Sequence, residues 1–234
     1  METTWRFHHE SWDEPWMSND FPAGESEKEI HQRLRRLSSE TWGENTKNEV
    51  VRFLHKELTS QWPWGYTIYR TVYTPESDQH WDVVLSAIVE NTNDGVSLDL
   101  HHDEPSRIFK EGYRSVIFNN PAQFDGATLD NIRKHFRAFR ESYIGGNQEV
   151  RFRWCLVIDE GTLQSIIRRP SWVTVVDPNY REGSTYNTQY YPGYFRLYLS
   201  DLWSLTRIGR ALGLDDVCGR MDGPDEIPWF DTDM

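Results

Sequence analysis

In the segment Trp62-Pro63-Trp64-Gly65-Tyr66-Thr67-Ile68-Tyr69-Arg70-Thr71-Val72-Tyr73, almost every position from Tyr66 onward is β-branched or aromatic. Such residues fit a pleated, half-buried surface, so the segment predicts a strand. Pro63 and Gly65 punctuate its start and Thr74-Pro75 its end. Alternation puts Tyr66, Ile68, Arg70 and Val72 on one side and Thr67, Tyr69, Thr71 and Tyr73 on the other. Arg70 therefore falls on the more apolar side, where an unpaired charge is costly. It needs a partner, either a structural carboxylate or an anion or substrate at the strand's edge.

N-terminal to this strand, residues 29–38 and 46–59 place Ile30, Leu34 and Leu37, then Val50, Val51, Leu54 and Leu58, at helical spacing. C-terminal to it, Pro75 opens a helix with the stripe Trp81, Val84, Leu85, Ile88 and Val89, expected to end over residues 91–95. His101-His102-Asp103-Glu104-Pro105 reads as a polar loop, and Ser115-Val116-Ile117-Phe118 as a short strand. Asp125-Gly126 leads into a helix over 129–143, with Leu129, Ile132, Phe136, Phe139 and Tyr143 on one face. Residues 153–158 and 172–176 form apolar strands, separated by a short helix carrying Leu163, Ile166 and Ile167. A tyrosine-rich loop over 179–193 has the length of a lid or binding segment. Residues 194–199 make a last strand, and Ser200 caps a closing helix with the stripe Leu202, Leu205, Ile208 and Leu212. This alternation predicts an α/β fold, with a mixed sheet of about five strands flanked by helices. Three parts are expected: an irregular N-terminal arm (1–27), one α/β domain (28–214) and an acidic C-terminal tail (215–234). The arm is either disordered or pinned by Trp5, Trp12 and Trp16, and the tail, with Trp229-Phe230 near its end, either folds back or stays mobile.

Only 37% of the residues are hydrophobic, but Trp, Tyr and Phe number 11 each, so aromatic rings carry much of the core. No apolar run is long enough to span a bilayer, and the N-terminus lacks the pattern of a signal peptide. Cys155 and Cys218 are isolated, which speaks against a disulfide framework or zinc site and for a reducing, cytoplasmic setting. The net charge of −12 disfavours broad nucleic-acid binding but permits a local basic patch, or a pocket for a cation. Neither a Gly-x-Gly-x-x-Gly turn nor a phosphate-loop lysine occurs, so no cofactor is expected. His8-His9-Glu10 lies on an irregular arm, where such short motifs mislead, and His101-His102 with its two carboxylates reads as a solvated loop without a third histidine at helical spacing, so no metal site is expected.

Against that acidic background, Arg133, Arg137 and Arg140 recur along one helix face, either as a solvated basic face or as an exposed contact for RNA phosphates. Asp159 and Glu160 follow one apolar strand, and Asp177 follows the next. Strand ends that converge on one sheet edge would gather these carboxylates into a pocket, although a helix cap and a turn are the simpler roles for Asp159 and Asp177. Asp201 opens the closing helix, with Trp203 beside it.

The segment Trp64-Gly65-Tyr66-Thr67-Ile68-Tyr69-Arg70-Thr71-Val72-Tyr73 resembles the opening motif of a family of small ascomycete proteins that includes the fungal arginine-containing cyclodipeptide synthases. Asp78-Gln79-His80-Trp81, Ile158-Asp159-Glu160-Gly161-Thr162-Leu163-Gln164-Ser165 and Val175-Val176-Asp177 extend the likeness, which covers roughly residues 45–215. The resemblance implies a transferase of secondary metabolism that draws arginine and a second amino acid from aminoacyl-tRNAs and joins them as a diketopiperazine. On that reading Asp159, Asp177, Asp201 and Trp203 bind the substrate, and Tyr69, Arg70, Tyr73 and Glu160 serve catalysis. Two other classes stay open: a non-catalytic interaction protein, and a hydrolase or isomerase acting on a small cation without RNA.

Overall fold

The computed structural model describes residues 16–17, 64–142, 153–182, 191–208, 212–219 and 227–230. The helices expected over 29–38 and 46–59, His8-His9, and His101 to Asp103 lie outside these residues. Among the described residues six strands are seen: β1 (Trp16–Met17), β2 (Thr67–Arg70), β3 (Val116–Phe118), β4 (Cys155–Ile158), β5 (Trp172–Val176) and β6 (Tyr194–Tyr198). They make one mixed sheet in the order β1-β3-β2-β4-β5-β6. β3, β2 and β4 run parallel, while β1, β5 and β6 pair antiparallel with their neighbours. The five expected strands are all present, and Trp16–Met17 adds a sixth at the edge.

The helices are α1 (Pro75–Leu100), α2 (Glu104–Glu111), α3 (Pro121–Phe124), α4 (Leu129–Ser142), α5 (Glu160–Arg168) and α6 (Leu202–Ile208). Alternation along β2 divides its side chains as expected. Tyr66, Ile68 and Val72 join one core with Val84 and Ile88 of α1, Leu163 of α5 and Leu202 of α6. Tyr69 joins a second core with Phe118, Cys155, Val157 and Ile132, Phe136 and Phe139 of α4. The sheet is thus the middle of three layers. Trp64, Tyr66, Phe109, Tyr113 and Trp203 meet largely edge-on at 5.1–6.5 Å. Each such pair adds about 0.5–1.5 kcal/mol beyond its buried area. Gly65, at φ 158, is needed there because a Cβ would stand 2.3 Å from the Arg114 carbonyl oxygen.

Several expectations are corrected. α1 does not end over 91–95 but continues to Leu100, with Thr92, Val96 and Leu100 buried on the same stripe. Gly95 is a point of close approach, where a Cβ would lie 2.6 Å from the Trp203 Cβ. Glu104 and Pro105 belong to α2 and not to a polar loop. The strand opening at Tyr66 narrows to Thr67–Arg70, because beyond it the chain turns into α1. Ser200 does not cap the closing helix: it lies inside a 3-10 turn, Leu199–Asp201, that feeds α6. Leu212 is exposed, so the buried stripe of that helix stops short of it. Of the two courses open to the acidic tail, folding back is the one seen for part of it. Trp229 bridges Arg196 and Phe230 bridges Cys218, while the Arg196 amide donates to the Pro228 carbonyl at 2.8 Å.

Candidate functional site

β5 begins at the sheet edge where β4 ends, because α5 is short and its Ser165 hydroxyl holds the Trp172 amide at 3.1 Å. β6 returns to the same edge, where Tyr198 pairs with Trp172. This is the edge that carries the carboxyl ends of the parallel strands, the usual place for ligands in open α/β sheets. An open groove of about 600 Å³ lies there between α1, the end of α5 and the end of β6.

One wall is a row on α1. Asp82, Ser86 and Glu90 are spaced i, i+4, i+8 and so line up along the helix, opposite its buried stripe. All three are exposed. Their end carboxylates stand about 12 Å apart along the axis, too far for one bidentate clamp but suited to two separate cationic groups. The other wall is Arg169, Pro170, Ser171, Tyr198 and Ser200. Arg169 is the basic residue among those lining the groove. It follows α5 with φ 59, a left-handed value that costs a non-glycine residue energy and points to a constrained position. Asp201 comes next to Ser200; burial raises its carboxyl pKa, opposed by a Ser200 hydrogen bond.

The residues expected from sequence fall in several places. Arg70 is buried and structural: Nε donates to the Val72 carbonyl at 2.9 Å, Nη2 to Ser77 Oγ at 2.7 Å, and Nη2 also pairs with Asp78. Its guanidinium is flanked by the Tyr73 and Trp81 rings at 4.6 and 4.8 Å. Tyr73 donates to the Arg70 carbonyl at 3.0 Å, and burial pushes its phenol up to about 12. Tyr69 lies on the opposite face of the sheet beneath α4, its hydroxyl 2.8 Å from His135 Nδ1. Burial raises the Tyr69 phenol and lowers His135 to about 4. Trp203 is a core residue whose indole N–H donates to Asp99 at 2.5 Å, a carboxylate also held by Arg207 at 2.7 Å.

The expected acidic pocket is not assembled. β5 is antiparallel to β4, so Asp177 emerges at the edge opposite Asp159 and Glu160. By the strand register they are about 17 Å apart along the strands. Asp159 is the N-cap of α5, accepting from the Thr162 amide at 2.8 Å, and Glu160 is exposed beside Gln164 at 2.9 Å. Asp177 accepts from the Asn179 amide at 2.8 Å and the Tyr191 hydroxyl at 3.3 Å. Burial is the main cause of its raised pKa, with Arg133 working against it.

The arginine row of α4 is not the exposed face expected of it. Arg133 is buried and donates to the Asp177, Pro192 and Gly193 carbonyls at 3.2, 3.2 and 3.0 Å, and to Asp130 at 2.7 Å. Arg137 donates to the Pro178 carbonyl at 2.7 Å and Arg140 to Asn179 Oδ1 at 3.0 Å. The row fastens the loops after β5 and before β6 by donating to their carbonyls, of which that of Gly193 also accepts from the Asp177 amide at 2.9 Å.

Asp82, Glu90, Arg169 and Tyr198 were missed from the sequence. The first two look like any solvated helix face, and the others are brought to the groove only by the turn after α5 and the pairing of β5 with β6. Among the described residues, no group of three or more His, Cys, Asp or Glu is placed to hold a metal ion, and no helix is long and apolar enough to cross a membrane. Compared with family models, curated proteins and solved structures, the chain matches none of them.

Proposed function

We propose that the groove between α1 and the end of β6 binds an arginyl group, and that the protein is an aminoacyl-tRNA-dependent synthase of an arginine-containing cyclic dipeptide. The observation that carries this reading is the row Asp82, Ser86 and Glu90 facing an open cavity of about 600 Å³. Carboxylates there accept charge-assisted hydrogen bonds from a guanidinium and an ammonium. The chemistry asks little more than positioning. An aminoacyl ester is already activated, so a neutral α-amine attacks its carbonyl carbon. A C–N bond forms, the ester C–O bond breaks, and the ribose hydroxyl leaves with the amine's proton. A second attack of the same kind closes the ring and releases the other tRNA. Holding the two esters in reacting geometry supplies much of the acceleration.

Expression in a host with ordinary aminoacyl-tRNAs, followed by mass analysis of the medium, tests this. Arginine-containing diketopiperazines should appear with the native chain and fall at least about tenfold with Asp82→Asn/Glu90→Gln. Their absence from cultures making folded protein would overturn the synthase. A second reading, a small cationic ligand turned over without RNA, is favoured by one observation: Arg133, Arg137 and Arg140 are engaged with loops of the same chain. It predicts ribonuclease-insensitive turnover.

A further inference from the structure

Arg196 sits in the middle of β6, and alternation decides which face of the sheet it serves. Its neighbours Phe195 and Leu197 join the core beneath α1, α5 and α6, so Arg196 projects from the opposite face. On that face α4 covers the far end of β5 and β6, where Val176 and Tyr194 pair and pack in its core. Around Arg196 the neighbours are aromatic rings instead. The guanidinium lies over the Trp172 ring at 4.3 Å, and 5.9 Å from the Trp229 ring. The two indoles meet edge-on at 6.3 Å, and Tyr198 stacks on Trp229 at 4.5 Å. The backbone holds this arrangement in place. Thr174 faces Arg196 across the two strands, the Arg196 amide donates to the Pro228 carbonyl at 2.8 Å, and its carbonyl accepts from the Phe230 amide at 2.9 Å.

This packing leaves the edge of the guanidinium unused. Rings occupy the faces of the planar group, whereas its five N–H donors lie in the plane. Arg70 and Arg133 are also set against aromatic rings, and each gives those donors to carbonyl and carboxylate oxygens of the chain. Arg196 does not: among the described residues its side chain has ring contacts but neither a hydrogen bond nor an ion pair. Arg196 and both indoles are half-buried, so the open N–H edge and apolar ring surface are presented together. A guanidinium already held by two rings loses little further freedom when it takes a ligand.

We infer that Arg196, held by Trp172 and Trp229, is a binding site for a carboxylate borne on an apolar body. The fork of N–H donors matches the two oxygens of a carboxylate, and the ring surface beside it suits an apolar substituent. A run of phosphates is the poorer fit. One arginine among aromatic rings, on a chain of net charge −12, supplies little of the positive charge that a polyanion needs. The site lies on the sheet face opposite the α1 row, takes a ligand of the opposite charge, and does not rest on the function proposed above.

Titration of the full chain with benzoate, followed by NMR through the indole N–H signals of Trp172 and Trp229, tests the site. Benzamide is the uncharged counterpart and phenyl phosphate the phosphate one. Benzoate should move both signals saturably, bind at least about tenfold more tightly than benzamide, and bind no more weakly than phenyl phosphate. Arg196→Gln should erase the preference for benzoate over benzamide. Arg196→Lys should weaken benzoate by at least about threefold, since an ammonium lacks the fork. Benzoate that leaves the two signals unmoved, binds no better than benzamide, or keeps its preference in Arg196→Gln would overturn the site. Phenyl phosphate bound more tightly than benzoate would overturn the carboxylate assignment. The comparison within the native chain decides the matter even where a variant folds poorly.

Discussion

Arg70 shows how one residue is settled by its surroundings. A buried guanidinium needs acceptors, and it finds the Val72 carbonyl, Ser77 and Asp78 within the next eight positions of its own chain. Asp78→Asn removes the charge partner and should cost about 1.5–3 kcal/mol in denaturant titration; a cost within experimental error would mean that Ser77 and the aromatic flanks suffice. Asp177 is the converse case. Burial raises its pKa, so the folded state favours the protonated acid, and stability is lost as pH rises through that folded pKa. Asp177→Asn should therefore be as stable as the native chain at pH 7 or more so, and should leave activity intact, since Asp177 lies across the sheet from the groove. His135 carries the opposite sign. Its pKa is lowered to about 4 by burial, so the unfolded chain binds the proton first, and stability should fall as pH drops from about 6.5 toward 4. His135→Phe should flatten that slope, as read from urea midpoints across the window.

Elements were legible wherever periodicity and packing agreed, and misread where a single residue had two meanings. The stripe Trp81, Val84 and Ile88 and the row Ile132, Phe136 and Phe139 are buried as their spacing implies. Gly95 signalled a helix end, but its role is to admit Trp203 of α6 against the helix backbone, a contact 108 positions away in sequence. An exposed glycine in mid-helix is improved by alanine; here Gly95→Ala should instead cost about 1–3 kcal/mol by overpacking. A neutral or stabilising result would return Gly95 to a merely permissive role. The arginines of α4 carry a graded expectation of the same kind. Arg133→Gln, which takes the guanidinium from the Asp177 and Pro192 carbonyls while the Gly193 carbonyl keeps the Asp177 amide, should destabilise by about 2–4 kcal/mol, and the exposed-end contact of Arg140 should matter by less than about 0.5 kcal/mol.

At the scale of the molecule, the class of fold was readable because strands and helices alternate, but the direction of β5 was not. Asp177 joins Asp159 and Glu160 only if β4 and β5 are parallel, and the connection over residues 159–171 is long enough for a parallel crossover as well as for an antiparallel return, so its length does not choose between them. The antiparallel return disperses the expected pocket and in its place brings Ser171 and Tyr198 opposite the polar row of α1. No local pattern announces such a site, since its residues come from three elements and each is ordinary in its own segment. The most direct test is reconstitution. Purified protein is mixed with arginyl-tRNA and a second aminoacyl-tRNA, and products are followed by mass spectrometry with and without ribonuclease. The account predicts an arginine-containing cyclic dipeptide that ribonuclease abolishes and that Asp82→Asn/Glu90→Gln reduces at least about tenfold. Folded protein that makes no cyclic dipeptide from any pairing with arginyl-tRNA, or a double variant with native yield, would contradict it.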